Sequence, residues 1–309
     1  MAIMHKYNRA YFRFLANSQQ AAAKLATTVM LLSAVLLHSP HADAEQTASV
    51  FQNIINKVSR SGSLLMLQAV CDRGKAEISD GIARCAICPT YTSAPDKTTG
   101  FELANAVLGS FTKAREPEAL LYMTGCESDA TEDGGIVLLQ NTAHGWSRLQ
   151  YQRGFGFSEC LKFRTLDDVS NLLCNHSALV DGDQIGTISW IDVTENKFSR
   201  ETLLRWYDNT ASNPRELVSV FPYRFLRSDF NQDGRGDVRI SFRIRQQVIP
   251  EKFPGVLDAI NSGYNIAPPE SLSLTYLFNG VALKLQKGGQ ENAARINQIV
   301  YKHLPTTDR

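Results

Sequence analysis

The sequence predicts a mainly β domain, propeller-like or an irregular β-repeat, with short flanking helices. Three observations predict it. Apolar residues alternate with period two in several stretches, a unit of roughly 50 residues recurs in the middle of the chain, and glycine-containing turns separate the alternating runs.

Residues 1–44 read first, as a secretory signal peptide. Lys6, Arg9, Arg13 and Lys24 precede the apolar run Leu25–Leu37, Pro40 ends it, and Ala42-Asp43-Ala44 offers a small-x-small cleavage site before Glu45. The apolar run is too short to span a bilayer comfortably, so no integral membrane association is expected after cleavage. The segment holds four of the 32 Lys+Arg and one of the 31 Asp+Glu, which leaves 28 against 30, a net charge of −2. Such a balance attracts neither nucleic acid nor an anionic membrane over long range. The expected location is exported, periplasmic or extracellular.

Residues 45–118 form the next segment, carrying a helix and half of the cysteines. In SVFQNIINKV (49–58), Val50, Phe51, Ile54, Ile55 and Val58 share one face behind a Ser49 cap. All six cysteines, Cys71, Cys85, Cys88, Cys126, Cys160 and Cys174, lie beyond the leader. An even count in an exported chain predicts up to three disulfides. Sequence does not choose the connectivity, although Cys71 with Cys85 or Cys88 is the expected local pair. Cys85-Ala86-Ile87-Cys88 also matches C-x-x-C, but its surroundings read as strand and turn. A redox thiol needs a lowered pKa, usually at a helix N-terminus, so structural bridging is expected there.

The repeat spans residues 119–290. Leu120-Leu121 matches Leu172-Leu173 at an offset of 52 residues, and the same offset matches Ile136 with Ile188, Leu139 with Ile191, and Trp146 with Phe198. Each unit offers a glycine-led strand (GGIVLLQN, GTISWIDV), a polar turn, and a second strand opening on an aromatic residue. A third unit is stretched: DVRISFRI (237–244) leads, and LSLTYLFNGVALKLQ (272–286) forms a hairpin at Asn279-Gly280. Residues 248–270 read as an insertion, with four prolines and a short helix around Val256–Ile260. LLMLQAVCD (64–72) reads as a fainter upstream copy of ALLYMTGCE (119–127). Units of this size match propeller blades, which number about four to eight. Residues 291–309 close the chain with a helix that turns Ile296, Ile299 and Val300 inward.

SDFNQDGRGDV (228–238) carries the clearest chemistry. Asp229, Asn231 and Asp233 offer side-chain oxygens at alternate positions, Gly234 permits a sharp turn, Arg235 offers its backbone carbonyl, and Asp237 returns a carboxylate. Calcium takes six to eight hard oxygen ligands at about 2.3–2.6 Å, and it would relieve the repulsion among these carboxylates. An EF-hand is excluded: its twelfth position is Ile240, and Val238, Ile240, Phe242 and Ile244 alternate with polar residues as in a strand.

A D-x-N-x-D-G-x-x-D loop feeding a β-strand, within repeats of this kind, resembles the FG-GAP/VCBS repeats of integrin-type β-propellers. The resemblance covers residues 119–286, and only Asp229–Asp237 carries the full metal motif. It implies calcium bound by that loop between neighbouring strands. RTLDDVSNLL, the equivalent place in the preceding unit, keeps Asp167 and Asp168 but lacks the core of the motif, so no metal is carried to it.

Other signals are weak. Arg235-Gly236-Asp237 spells an adhesion tripeptide, but an inward-facing Asp237 cannot present it. His144, His176 and His303 are widely spaced, and no nucleophile, zinc or phosphate-loop motif is present. Asp167-Asp168 carries the chemistry of a glycosidase pair without any sign of a shared cleft. Trp146, Trp190 and Trp206 read as core, and DGDQIG (181–186) and DATEDGG (129–135) read as turns. The resulting expectation is an exported, calcium-stabilised β-repeat protein that binds a protein or glycan partner. The alternative is an exported hydrolase on the same scaffold, its catalytic residues not identified by sequence.

Overall fold

Two antiparallel meanders account for the fold. The computed structural model describes residues 60–304, apart from 73–74, 96–99, 128–133 and 196. The leader and the helix expected over 49–58 lie outside the described residues, as does most of DATEDGG. Helix α1 (Arg60–Val70) precedes β1 (Ala76–Ser79), β2 (Ile82–Cys85), β3 (Phe101–Gly109), β4 (Glu118–Thr124), β5 (Gly135–Thr142) and β6 (Gly145–Arg153), which form one six-stranded sheet in sequence order. The eight-stranded sheet follows, again in sequence order: β7 (Glu159–Arg164), β8 (Ser170–Val180), β9 (Asp183–Thr194), β10 (Lys197–Asp208), β11 (Glu216–Ser228), β12 (Asp237–Val248), β13 (Glu270–Phe278) and β14 (Leu283–Leu285). A 3-10 turn (Thr210–Ser212) and helices α2 (Val256–Asn261) and α3 (Gln290–His303) complete the described elements. The chain is therefore mainly β with few helices. Its strands join into continuous ladders of six and eight, with no separation into four-stranded units.

Turn chemistry makes a meander the simple outcome. Asp80-Gly81 and Asp181-Gly182 each sit in two-residue loops, with φ of 53° and 82° in the first and 51° and 90° in the second. Positive φ at both positions defines the turn whose twist matches antiparallel strands. DGDQIG is thus a plain turn. Asn279-Gly280 also makes a hairpin, but a four-residue one, because the Asn279 side chain accepts from Val281 N and Ala282 N.

The 52-residue repeat survives in the hairpins. Strands β4–β5–β6 and β8–β9–β10 correspond, and their tips match atom for atom: Thr142 Oγ1 donates to Gly145 O at 2.9 Å, and Thr194 Oγ1 donates to Lys197 O at 3.2 Å. Register differs by one residue. Leu120 pairs with Leu138, whereas Leu172 pairs with Ile191 rather than Trp190. A one-residue slip exchanges the two faces of a strand, so Ile136 and Ile188 enter different cores. The upstream copy at 64–72 is corrected: residues 64–70 lie in α1. Ser63, Met66, Leu67 and Val70 are buried at helical spacing, and nothing β-branched precedes Val70 in that helix.

Three apolar clusters stack through the domain. The six-stranded sheet packs one face on α1 through Met66, Leu67, Leu121 and Val137. Its other face meets the eight-stranded sheet through Leu120, Ile136, Leu138, Leu172, Ile191 and Val193. The far face of the larger sheet closes around Phe163, Trp190, Trp206, Phe242, Leu274 and Phe278, with Ile296, Ile299 and Val300 of α3 inserted, as the sequence expected. The insertion over 248–270 builds a small core of its own from Leu217, Ile249, Val256 and Ala259.

Curvature brings the ends of the larger sheet together. Leu166, in the β7–β8 turn, donates its N–H to Gly280 O in the β13–β14 turn at 2.9 Å. Beneath that contact, Phe163, Trp190 and Phe278 lie with ring centroids 5.2–5.8 Å apart. Gly280 has a φ of 93°, which favours glycine, and a side chain there would also push the Leu166 side chain, 2.7 Å away, outward. Helix α3 plugs the interior near the start of β9 and the end of β10, where His303 stacks on Tyr207.

Disulfides join Cys71–Cys85, Cys88–Cys126 and Cys160–Cys174, and no described cysteine is free. The two cysteines of the C-x-x-C run bond elsewhere, so it is a structural pair of anchors. Peptide mapping of the unreduced protein should return these three pairs, and denaturation without reductant should expose no reactive thiol. Removing Cys88–Cys126, which spans 38 residues, should cost about 2–5 kcal/mol in chemical unfolding. Two or more labelled thiols would contradict the assignment.

Candidate functional site

The loop over 229–236 joins β11 to β12, and its acidic side chains fold back on the backbone. Asp229 Oδ1 and Asn231 Oδ1 both accept from Asp233 N, at 3.0 and 3.2 Å. Asp229 Oδ2 accepts from Gly234 N at 2.8 Å, Asp233 Oδ1 from Arg235 N at 2.9 Å, and Asn231 Nδ2 donates to Asp233 Oδ2 at 3.1 Å. Gln232 and Gly234, with φ of 61° and 81°, supply the bend. The Arg235 guanidinium lies 3.6 Å from Asp233 Oδ2. The oxygens of Asp229, Asn231 and Asp233 are thus gathered within one turn, a hard donor set of the kind calcium takes. Among the described residues, however, no three acidic, histidine or cysteine side chains converge as a metal-ligating group.

Asp237 has a separate task. It is fully buried, and its two oxygens accept from Phe230 N at 2.9 Å and Phe278 N at 2.8 Å. One carboxylate therefore fastens the loop to the end of β13. The adhesion tripeptide cannot be presented, because its acid is spent inside the fold.

A cleft of about 690 Å³ opens on the larger sheet where β9 ends and β10 begins. Its acids are Asp167, Asp192, Glu195 and Glu201, and no lysine, arginine or histidine lines it. Register explains the grouping: Trp190 lies across from Leu173 on one side and Glu201 on the other, so Asn171 and Asp192, two residues along their strands, share that face of the aromatic core. With its amide nitrogen turned towards Asp192, buried Asn171 donates to Asp192 Oδ1 at 3.0 Å and to Ser170 O at 3.3 Å. Glu195 carries an exposed ion pair with Lys113 at 3.0 Å, and that hydrogen bond holds the Lys113 ammonium above the ordinary lysine range. On the far wall Val281 is 59% exposed, and Leu166 beside it, in hydrogen-bond contact with Gly280, is 65% exposed. The opening thus combines acidic, hydroxyl-bearing walls with an apolar margin.

Several expected residues fall elsewhere. Asp167 enters the cleft, but Asp168 turns away to Arg164 and Arg115, so the two are not a catalytic pair. The Arg164 hydrogen bond, with Arg115 nearby, keeps the Asp168 carboxyl below the usual carboxylate range. His144 stands in the exposed β5–β6 turn, and His176 packs edge-on against Tyr122 at 5.9 Å. Trp206 is core, and its indole donates to Asn175 Oδ1 at 2.9 Å. Trp190 belongs to the core and to the cleft wall at once. Asp192, Glu195 and Glu201 had no motif to announce them. Their only signal is an acid at position 192, two residues on from Trp190 and so on the same face of β9.

No protein-family model matches the chain, and neither a curated protein nor a solved structure matches it.

The two acids of the hairpin should behave differently when removed. Asp237→Ala leaves two N–H groups without their acceptor and should cost about 2–4 kcal/mol in urea unfolding. Asp233→Ala, at the solvated tip, should cost under about 1 kcal/mol without added cation. Equal losses would show that Asp237 is not the internal fastener.

Proposed function

We propose that this chain is an exported β-repeat protein that works by binding a protein or glycan partner in the cleft beside Trp190. The observation that carries the reading is the cleft itself, acid-lined, with Lys113 paired to Glu195 at its edge and exposed Val281 in its wall. A concave site with convergent polar groups is a usual place for a ligand, and polar walls of this kind suit a polar partner. Three disulfides suit an oxidising compartment. The strands act as successive hairpins of one irregular repeat.

A screen of immobilised peptides and oligosaccharides tests the site. Asp192→Asn with Glu201→Gln should lose at least tenfold in affinity for whatever the unmodified protein retains, because both remove charge and keep volume. Retention unchanged by the double substitution would move the site elsewhere. Four carboxylates in one cleft also favour a second reading, a glycan hydrolase, in which one acid protonates the leaving oxygen and another acts on the opposite face. Release of reducing ends from a retained glycan, abolished by the same double substitution, would select that reading over binding alone.

We also propose that calcium binds the β11–β12 loop, through Asp229, Asn231, Asp233 and the Arg235 carbonyl, while Asp237, expected as a further ligand, holds the loop from behind through Phe230 N and Phe278 N. The support is the resemblance of this loop to FG-GAP/VCBS calcium loops and the gathering of three oxygen-bearing side chains in one turn. A cation that binds only the native state adds about 2.7 kcal/mol at a hundredfold excess over its Kd. The melting temperature should therefore rise with calcium and fall with chelator, and Asp233→Ala should remove most of that response. Asp167→Ala should leave it unchanged. Superimposable melting curves with calcium and with chelator would refute the proposal.

A further inference from the structure

The face of β11–β13 turned away from the aromatic core is a basic surface. Cross-strand register sets its rows: Phe221, Arg243 and Ser271 share one, Arg224, Ser241 and Ser273 the next, and Leu226, Arg239 and Thr275 a third. Arg245 stands opposite Ser219 at one margin. The inward alternates, Val220, Phe225, Ile240, Phe242 and Ile244, are all buried, so the arginines face outward by the pleat alone. Neither the six-stranded sheet nor α3 covers this face, because the first packs on β8–β10 and the second on the opposite side.

Four guanidinium groups on one sheet face repel one another unless something compensates them. Among the described residues, none of Arg224, Arg239, Arg243 and Arg245 forms an ion pair. The Nε of Arg245 is buried without an acceptor. Asp208 stands opposite Ser219 on the adjoining strand, and its Oδ1 is engaged by the N–H and hydroxyl of Thr210. Two of the charges, on Arg239 and Arg243, are also held in place. Arg243 lies over the Tyr223 ring at 4.7 Å and Arg239 over Phe230 at 4.3 Å, and Arg239 Nε donates to Thr275 Oγ1 at 3.2 Å. Tyr223 reaches that place because the bulge between Pro222 and Arg224 makes it the extra residue of its strand. Phe221 is pinned edge-on by Trp206 at 5.3 Å.

We infer that this face binds an acidic polysaccharide, through its carboxylate, sulfate or phosphate groups. Stacked guanidinium groups lose little further freedom on binding and present planar forks that match such anions. The paired hydroxyls of Ser241 and Ser273, 3.0 Å apart, suit the neutral oxygens between the charged groups of a sugar chain. A nucleic acid fits less well, since Tyr223 and Phe230 already carry an arginine over the ring and are not open for the base stacking that single strands use. A lipid surface fits less well too: Phe221 and Tyr223 are only 36% and 41% exposed, braced by Trp206 and Arg243, and do not project for insertion. This site is separate from the acidic cleft, and either can fail without the other.

The test is direct titration of the unmodified protein with polygalacturonate, a linear uronic-acid polymer, at low and high salt. Binding should be measurable, weaken at least tenfold as salt rises, and weaken at least tenfold in Arg224→Ala/Arg243→Ala. Lys197→Ala, at the start of β10, should bind as the unmodified protein does. Should the double alanine variant fail to fold, Arg224→Lys/Arg243→Lys keeps the charge and removes the forks, and should bind at least threefold more weakly. Single-stranded DNA and vesicles containing anionic lipid serve as competitors of the same sign. Absence of polygalacturonate binding, binding indifferent to these arginines, or tighter arginine-dependent binding to DNA or vesicles would each overturn the inference.

Discussion

Everything distinctive in this domain depends on how the eight-stranded sheet closes its two edges. Phe163 from the first strand, Phe278 from the seventh and Trp190 between them meet in one aromatic cluster, and the Leu166–Gly280 hydrogen bond lies over it. Aromatic pairs of this geometry are worth about 0.5–1.5 kcal/mol each beyond their burial. That modest energy is multiplied by position, because it converts an open twisted sheet into a curved one with an interior. Asp237 contributes to the same closure by holding the backbone N–H of Phe278 while it fixes the start of the β11–β12 loop.

Two surfaces of opposite charge follow from that curvature. The concave side is plugged by α3 at one end and at the other presents the acids of the cleft. The convex side of β11–β13 stretches the outward alternates of each strand into a row of arginines and hydroxyls. The chain is close to neutral as a whole, so its electrostatics lie in the segregation of charge rather than in its sum. Such segregation governs which partner is admitted and in what orientation.

Much of the fold was legible because strands announce themselves locally. Val238, Ile240, Phe242 and Ile244 alternate as a strand must, Ile296, Ile299 and Val300 recur as a helix must, and the insertion over 248–270 interrupts an otherwise regular meander. The offset of 52 located three corresponding strands in each of two units. What could not be read was register. The one-residue slip between the two units decides which core Ile136 and Ile188 enter, and nothing local encodes it. The cleft was illegible for the same reason: Phe111, Asp167, Asp192 and Val281 are far apart in sequence and meet only through sheet closure. Leucine-rich letters at 64–72 misled in the other direction, since composition alone does not separate a helix face from a strand.

Hydrogen exchange at the Leu166 amide tests the closure most directly. Leu166 is 65% exposed as a side chain and sits in a turn, so without the contact to Gly280 its N–H would exchange as fast as an open loop. Closure predicts protection approaching that of the neighbouring strand amides, and loss of that protection in Phe278→Ala, with β11–β12 amides still protected. Exchange at Leu166 at the rate of an unstructured turn in the unmodified protein would contradict the account, and with it the cleft that the closure builds.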